Sequence, residues 1–289
     1  MKKTLLLAFL FLGLFHTPFF SQIKNPFVNP DWSKPYLGFR IAGNLYYVGT
    51  YDLASFLVVT PKGNILINTG GTDSYQLIKS SIDGLGFSLK DTRVLLITQA
   101  HFDHTGALAQ IKRETGAVLE VNEPEKETLE RGGATDYEMG KYGETFSPVI
   151  PDKLLRDRSI IELGGTKLTL LSHPGHTKGS SSYLVDVKDG KKTYRVLIAN
   201  MPSIIIDGKF SEVKKYPNIQ QDYAYTFGAM KNLKFDIWVA SHASQFGLHS
   251  LRMPGDPYNP MIFGDKKAFF DQVERLEKVY QEKVANDVK

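Results

Sequence analysis

The 289-residue sequence predicts an α/β fold in which two mixed β-sheets pack face to face, with helices on their outer sides. Both halves of the chain show the same order of β-rich segments, a helical segment, more strands and a second helix. No linker rich in Pro, Gly or Ser separates the halves. These observations favour one domain built from two similar layers of sheet and helix.

The N-terminal stretch MKKTLLLAFLFLGLFHTPFFSQ predicts a secretory signal peptide. Lys2 and Lys3 precede an apolar run over residues 5–15, which is shorter than the roughly 20 residues that span a bilayer. We expect cleavage near Ser21, although Phe19 stands where a small residue is preferred. An uncleaved membrane tether is the alternative. We therefore predict a signal over residues 1–21, export to the periplasm, and a single catalytic domain over residues 22–289.

The composition excludes several kinds of chemistry. There is no cysteine, so a disulfide framework, a thiol nucleophile and a thiolate metal ligand are all ruled out. Loss of Lys2 and Lys3 with the signal lowers the formal charge from +4 to +2. The remaining lysines are scattered among acidic residues, so we expect no nucleic-acid partner. We also expect no membrane partner after cleavage, and a monomer.

The first half begins with β-rich residues 39–51 and 53–68, and the turn signal at 61–64 predicts antiparallel strands. A helix is predicted over 74–85, where apolar residues share one face. Residues 93–100 form an unalternating apolar run, which is typical of a strand covered on both faces. The remaining predicted elements of this half are a helix over 106–115, a strand over 117–121 and a helix over 123–131.

The second half repeats this theme. Its last apolar strand, over 235–242, ends in a histidine, and a charged amphipathic helix over 265–284 closes the chain. The other predicted elements are strands over 160–163, 167–172, 181–187 and 194–199, and a helix over 220–233.

Histidines cluster where predicted strands give way to loops. A lone histidine is most often a structural residue, and we interpret His173 and His249 in that way. Several histidines at strand ends beside an aspartate, Asp103, are hard to explain without a metal site. The histidines at strand ends are His101, His104, His176 and His242.

The spacing within TQAHFDHTG, residues 98–106, sharpens this interpretation. Gln99 and His101 are two residues apart, so in an extended chain their side chains leave the same face. Asp103 and His104 follow on the turn and point towards a second position nearby. Neutral imidazole and carboxylate suit Zn²⁺, and this sequence offers no thiolate for a softer ion.

The motif x-x-H-x-D-H-T-G, together with HPGHTKGS (173–180) and SHAS (241–244), resembles the metallo-β-lactamase superfamily over essentially the whole mature chain. Within it, the sequence is most similar to the third subclass, whose ligands are histidines and an aspartate without cysteine, and to the GOB-type branch. The segments VLIANMPS (196–203), YPNIQQDYAYTFG (216–228) and FDIWVASHASQF (235–246) share this similarity. The resemblance implies an αβ/βα four-layer sandwich.

The resemblance also implies two zinc sites and a β-lactam as the small-molecule substrate. A metal-activated hydroxide would attack the lactam carbonyl, and Asp103 would orient the attacking water and pass on its proton. Ser203 would hold the substrate carboxylate. The implied ligands are Gln99, His101 and His176 at the first site, and Asp103, His104 and His242 at the second.

Two departures from the usual pattern bear on function. The familiar motif begins with histidine where this chain has Gln99, and a neutral amide is a weaker ligand, so we expect a weakened first site. An enzyme with zinc only at the second site is the alternative, since three protein ligands and a water suffice for catalysis. A decayed site is a further alternative, although the other ligands are all present.

The second departure concerns substrate class. Thioesterases, lactonases and nucleases of the superfamily usually supply a bridging aspartate after the strand corresponding to VLIA, whereas this chain has Asn200 and Met201 there. This difference favours β-lactam hydrolysis. Hydrolysis of another ester, lactone or thioester, and a non-catalytic metal-binding role, remain the alternatives.

Overall fold

The computed structural model describes residues 26–27 and 29–287. The predicted signal peptide and its cleavage site lie outside the described residues. Among the helices that are described, none has the length and apolar character needed to cross a bilayer.

The first sheet contains seven strands in sequence order, β1-β2-β3-β4-β5-β6-β7. Its first four strands pair antiparallel, as predicted, and β4 to β7 pair in parallel. Parallel pairing places the carboxyl ends of these strands at one edge, where sites are commonly built. The strands are β1 (Phe39–Ala42), β2 (Leu45–Tyr47), β3 (Phe56–Thr60), β4 (Gly63–Ile67), β5 (Thr92–Leu96), β6 (Val118–Asn122) and β7 (Lys153–Leu155).

The second sheet has five strands in the order β12-β11-β10-β9-β8. Only the β11–β12 pair in this sheet is parallel. Its strands are β8 (Ile160–Leu163), β9 (Thr166–Ser172), β10 (Ser181–Asp189), β11 (Lys192–Ala199) and β12 (Ile237–Ala240).

The helices lie outside the two sheets, which confirms the predicted architecture. Side chains of α1 and α3 pack on the outer face of the first sheet, while α7 contacts both α5 and β12. The helices are α1 (Ser74–Gly84), α2 (Phe102–Thr105), α3 (Leu108–Thr115), α4 (Lys126–Glu130), α5 (Ile219–Met230), α6 (Leu248–Leu251) and α7 (Lys266–Asp287).

Alternation along the central strands creates two separate cores. In β5, Val94 and Leu96 enter the core between the sheets, whereas Leu95 enters the core beneath the helices. In β3, Phe56 and Leu57 divide in the same way. Successive side chains of a strand point to opposite faces, so a strand that is apolar throughout must be covered on both sides.

Several element boundaries differ from the sequence-based prediction. The strand predicted over 93–100 ends at Leu96, because the chain beyond it turns to bond the second sheet, with the Ser181 N–H donating to the Thr98 carbonyl at 2.8 Å. The helix predicted over 106–115 is α3, which begins at Leu108, and a separate short helix that was not predicted, α2, precedes it. Strand β7 and helix α6 were not predicted, because three- and four-residue elements carry too little periodicity.

Gly106 anchors the loop that carries the predicted ligands. Its N–H donates to the Gly70 carbonyl at 2.8 Å, and Thr69 N–H donates to the His104 carbonyl at the same distance. A Cβ on Gly106 would lie 2.2 Å from the carbonyl carbon of Gly71 and 2.3 Å from the nitrogen of Thr72. Only glycine permits this approach of two backbone segments.

We predict that Gly106→Ala lowers the free energy of unfolding by about 2 kcal/mol or more, because the added methyl group meets rigid backbone. The measurement is chemical denaturation of the purified variant. Gly84→Ala is the matched control, because a Cβ there meets nothing within 4 Å and alanine favours the helix. Equal stabilities of the two variants would contradict the prediction.

Candidate metal centre

All six predicted metal ligands line one cavity of about 200 Å³, at the edge where the two sheets meet. Gln99 and His101 follow β5, and Asp103 and His104 lie in α2. His176 comes from the loop between β9 and β10. The sixth ligand, His242, follows Ser241 just after the end of β12. Ser203 also lines the cavity.

The structure brings Asp103, His104 and His242 into a compact cluster. One ligand atom from each lies within 4.8 Å of the others. Asp103 Oδ2 is 3.3 Å from His104 Nε2 and 3.3 Å from His242 Nε2. The His104 nitrogen is out of line for a hydrogen bond and is fully buried without a partner. A buried imidazole nitrogen without a partner is destabilising, so this donor set fits a metal ion.

The other three predicted ligands face the same cavity, but hydrogen bonds within the protein already engage some of their polar atoms. The His101 and His176 rings lie 5.0 Å apart between centroids. Gln99 Oε1 accepts a hydrogen bond from Asn200 Nδ2 at 2.9 Å. Gln99 Nε2 lies 3.4 Å from His101 Nδ1. The amide oxygen, the only atom of Gln99 that can bind a cation, is therefore already engaged.

Three of the histidines are oriented by acceptors on the side away from the cavity. His242 Nδ1 lies 3.2 Å from Asp52 Oδ2, and His101 Nε2 lies 3.3 Å from Asp136 Oδ2. His176 Nδ1 lies 2.7 Å from the backbone oxygen of Ser203. Each acceptor fixes the orientation of its ring, so that the opposite nitrogen faces the cavity.

Sequence reasoning missed most of these outer partners. Asp52 lies behind His242, where its carboxylate accepts hydrogen bonds from Ser244 N–H at 2.9 Å and Trp32 Nε1 at 3.1 Å. Asp136 stands in an irregular segment with no recognisable motif. The predicted interpretation of His173 is consistent with its buried contact to Ser182 Oγ at 2.7 Å.

Asn68 supports the ligand loop from the end of β4. Its backbone has a φ of 62°, a left-handed conformation that asparagine tolerates better than most residues. Its side chain accepts from Thr98 N–H at 2.8 Å and its Nδ2 donates to Thr98 Oγ1 at 3.0 Å. These bonds fix the chain immediately before Gln99.

Burial and charge give the cavity a defined protonation pattern. Burial lowers the pKa of His176 to about 3 and also lowers that of His104, so both imidazoles are neutral. Burial opposes ionisation of Asp103, but His104 and His242 outweigh it and hold the pKa of Asp103 well below its usual value.

His242 behaves differently from the other two histidines. Burial lowers its pKa, but hydrogen bonds to Asp103 and Asp52 outweigh that effect and raise it to about 9. In the metal-free protein a proton on His242 therefore provides the positive charge between two carboxylates. A metal ion that binds here takes over that charge and displaces the proton.

Apolar and aromatic side chains form the walls of the cavity. Trp32 lies with its ring centroid 5.9 Å from that of His242. Met201 is 1% exposed and contributes to the floor. The other apolar residues of the lining are Phe27, Phe102, Met139 and Ile205. The cavity thus combines a polar metal-binding centre with walls suited to an organic substrate.

Comparison with known proteins agrees with this geometry. Residues 50–189 match the family model described as the metallo-beta-lactamase superfamily. The chain is 60% identical to the crystal structure of metallo-beta-lactamase GOB-18 from Elizabethkingia meningoseptica, with a TM-score of 0.91, covering 92% of this chain and 99% of that one. It is 56% identical to the class B3 di-zinc metallo-beta-lactamase LRA-12 from an Alaskan soil metagenome, with a TM-score of 0.89, covering 91% and 100%.

Curated relatives are more distant. The chain is 30% identical to hydroxyacylglutathione hydrolase GloC from Haemophilus influenzae over 126 residues, which are 43% of this chain and 56% of that protein. The chain thus spans about half the length of the curated relatives it matches.

We predict that Asp52→Asn weakens zinc binding about 10- to 100-fold, because an amide cannot accept from His242, Ser244 and Trp32 together. The measurement is competition for zinc against a chromophoric chelator. Asp31→Asn is the control, since that exposed carboxylate only approaches Lys34 at 3.9 Å. Zinc binding by Asp52→Asn as tight as that of the unmodified protein would refute this role.

Proposed function

The chain belongs to the metallo-β-lactamase superfamily and, within it, to class B3, and we propose on this basis that it is a zinc-dependent enzyme that hydrolyses the amide bond of β-lactam rings. The observation that carries the proposal is the buried cluster of Asp103, His104 and His242 at the floor of an apolar-walled cavity. Penicillins, cephalosporins and carbapenems share the reactive ring and are the expected substrates, so the activity would give antibiotic resistance.

The donor set fits zinc. Asp103, His104 and His242 would hold one ion, and three protein ligands leave a position for water or substrate. Gln99, His101 and His176 would hold a second ion more weakly. When bound, zinc supplies a Lewis acid that polarises the lactam carbonyl and makes water more acidic.

Asp103 is the only carboxylate among the described residues that line the cavity, and it is ionised. It can therefore orient the attacking water and accept its proton. The water oxygen forms a bond to the lactam carbonyl carbon, and the carbon–nitrogen bond of the ring breaks. The proton that Asp103 has taken passes to the nitrogen that leaves, so the side chain returns to its starting state.

Ser203 is proposed to bind the substrate carboxylate. Its side chain is half-buried in the cavity wall, and its Oγ lies 3.2 Å from His176 Nδ1. Since its backbone oxygen already accepts from that nitrogen at 2.7 Å, the hydroxyl is free to donate to a carboxylate. Ser203 thus joins a metal-ligating histidine to the substrate-binding wall.

The number of zinc ions per chain is proposed to depend on the first site. The cluster around Asp103 combines a charged ligand with a histidine nitrogen that lacks a partner. The first set has a neutral amide, and hydrogen bonds engage it. We therefore expect the first equivalent of zinc to occupy the Asp103 cluster.

Hydrolysis of a thioester or lactone is the second candidate, favoured by the similarity to hydroxyacylglutathione hydrolase GloC. In the described lining of the cavity, however, Asn200 and Met201 stand where such enzymes usually supply a bridging carboxylate. This arrangement supports the β-lactamase assignment over the alternative. A non-catalytic protein would bind zinc without hydrolysing a β-lactam, so an activity assay distinguishes this alternative from the proposed enzyme.

The N-terminal sequence supports export. Two lysines, a short apolar run and a small residue at Ser21 are the pattern of a cleaved secretory signal. We propose that the mature enzyme works in the periplasm.

We predict that purified zinc-loaded protein hydrolyses a chromogenic cephalosporin and that a chelator abolishes this activity. Asp103→Asn should lower kcat/KM by about 100-fold or more, because the variant loses both a ligand and the proton acceptor. The control is Asp91→Asn, an exposed residue at the far end of β5. Zinc content is measured for each sample.

Absence of turnover of any penicillin, cephalosporin or carbapenem by zinc-loaded protein would overturn the substrate assignment. Turnover that survives Asp103→Asn would overturn the role of that residue.

We predict that the 289-residue chain, expressed in a Gram-negative host, yields periplasmic protein whose N-terminal sequence begins near Gln22. Replacing Leu10 and Leu12 by arginine breaks the apolar run and should retain the protein in the cytoplasm. Recovery of the uncleaved chain in the membrane fraction would instead support a tether.

A further inference from the structure

Gln99 is part of a chain of hydrogen bonds that crosses the first zinc site. The chain begins at Asn200, whose Nδ2 lies 2.9 Å from Gln99 Oε1 and 3.3 Å from the backbone oxygen of Thr98. It continues from Gln99 Nε2 to His101 Nδ1 at 3.4 Å and from His101 Nε2 to Asp136 Oδ2 at 3.3 Å. Gln99 and Asn200 are 3% and 4% exposed, so these bonds are buried.

Backbone chemistry fixes the direction of the bonds at the Asn200 end. A carbonyl oxygen only accepts, so the atom of Asn200 that faces the Thr98 carbonyl must be its nitrogen. The same nitrogen donates to the nearest atom of the Gln99 amide, which must therefore be oxygen.

The contacts at the opposite end agree with the same direction. Asp136 Oδ1 accepts from the backbone N–H groups of Glu138 at 2.9 Å and Met139 at 2.7 Å, as an ionised carboxylate does. In the neutral ring, His101 Nε2 donates to Oδ2 of the same carboxylate and the lone pair lies on Nδ1. Gln99 must then present its N–H to that lone pair.

From these bonds we infer that Asn200 is a positioning residue, which holds the Gln99 oxygen away from the first zinc site and so sets how weakly that site binds zinc. Asn200 retains the amide oxygen, and Gln99 in turn covers the lone pair of His101. Zinc that binds at this site has to break the bond between Gln99 and His101, and it has to compete with Asn200 for the Gln99 oxygen. The inference rests on the proposed function, because it takes the first site to be a zinc site.

The second site has no comparable restraint. The cavity-facing nitrogen of His104 is buried without a hydrogen-bond partner, so zinc breaks no hydrogen bond of that ring. The difference between the sites is therefore not only the replacement of histidine by glutamine. It also depends on Asn200, which is not itself a ligand.

The environment of Asn200 allows a clean test. Its side chain can be shortened without leaving the Thr98 carbonyl unpaired, because Ser181 N–H donates to that oxygen at 2.8 Å. The backbone N–H of Asn200 keeps its bond to Ser182 Oγ at 3.0 Å. Truncation of the Asn200 side chain therefore removes its hydrogen bond to the Gln99 oxygen.

The experiment titrates zinc into metal-free protein by calorimetry and compares the unmodified chain with Asn200→Ala. Because the variant lacks the hydrogen bond to Gln99, the affinity of the weaker site for zinc should rise about two- to tenfold. The affinity of the stronger site should not change. Cobalt(II) titration provides a spectroscopic readout, since absorption from the weaker site should appear at lower metal concentration. Activity is not needed for either measurement.

As a matched control, the comparison is repeated in protein that already carries Gln99→Ala. In that background Asn200→Ala should change neither site, because no amide remains to be held. Asn200→Ser is a second variant that keeps a hydroxyl in the pocket but is too short to reach Gln99 Oε1. It should tighten the weaker site as Asn200→Ala does, and the unchanged stronger site shows that the variants are folded.

The inference is overturned if the weaker site is unchanged or weakened in both Asn200 variants, or if the effect persists without Gln99. In those cases the unmodified protein still binds zinc and the proposed function stands. A protein that binds no zinc at either site would overturn both the inference and the proposed function.

Discussion

Burial of polar metal-binding side chains at the seam between the two sheets is the constraint on which the rest of the centre depends. His101, His104 and His176 are each less than a tenth exposed. A buried imidazole or carboxylate is destabilising unless its polar atoms have partners. The fold supplies acceptors from outside the cavity, and each one turns the opposite nitrogen of its histidine towards the cavity. Ligand orientation is thus a consequence of satisfying buried hydrogen bonds.

The two halves of the centre satisfy this constraint differently. Around Asp103, charge is balanced by a proton on His242, which a metal ion can replace. His104 keeps one nitrogen without a partner, and an added ion can satisfy it. On the other side, Gln99, His101 and Asn200 satisfy one another through neutral hydrogen bonds. One half therefore requires a cation, and the other is complete without one.

Much of the architecture could be predicted because its cause is local. The unbroken apolar run of β5 predicted a strand covered on both faces, and the two cores confirm this. The end of that strand was predicted four residues too late, because bonds to the second sheet decide it. Strand β7 and helix α6 were missed, since elements this short depend on their neighbours for stability.

The sequence by itself determined which donor types converge, because the spacing of Gln99, His101, Asp103 and His104 is a property of a short segment and its turn. It also identified His176 and His242 as residues at strand ends. Only the tertiary structure decided how these side chains are held. Asp52 and His242 are 190 positions apart, Asn200 and Gln99 are 101 apart, and Asp136 and His101 are 35 apart. No local pattern encodes such pairs, because they exist only after the sheets have packed and removed water from the groups that must bond.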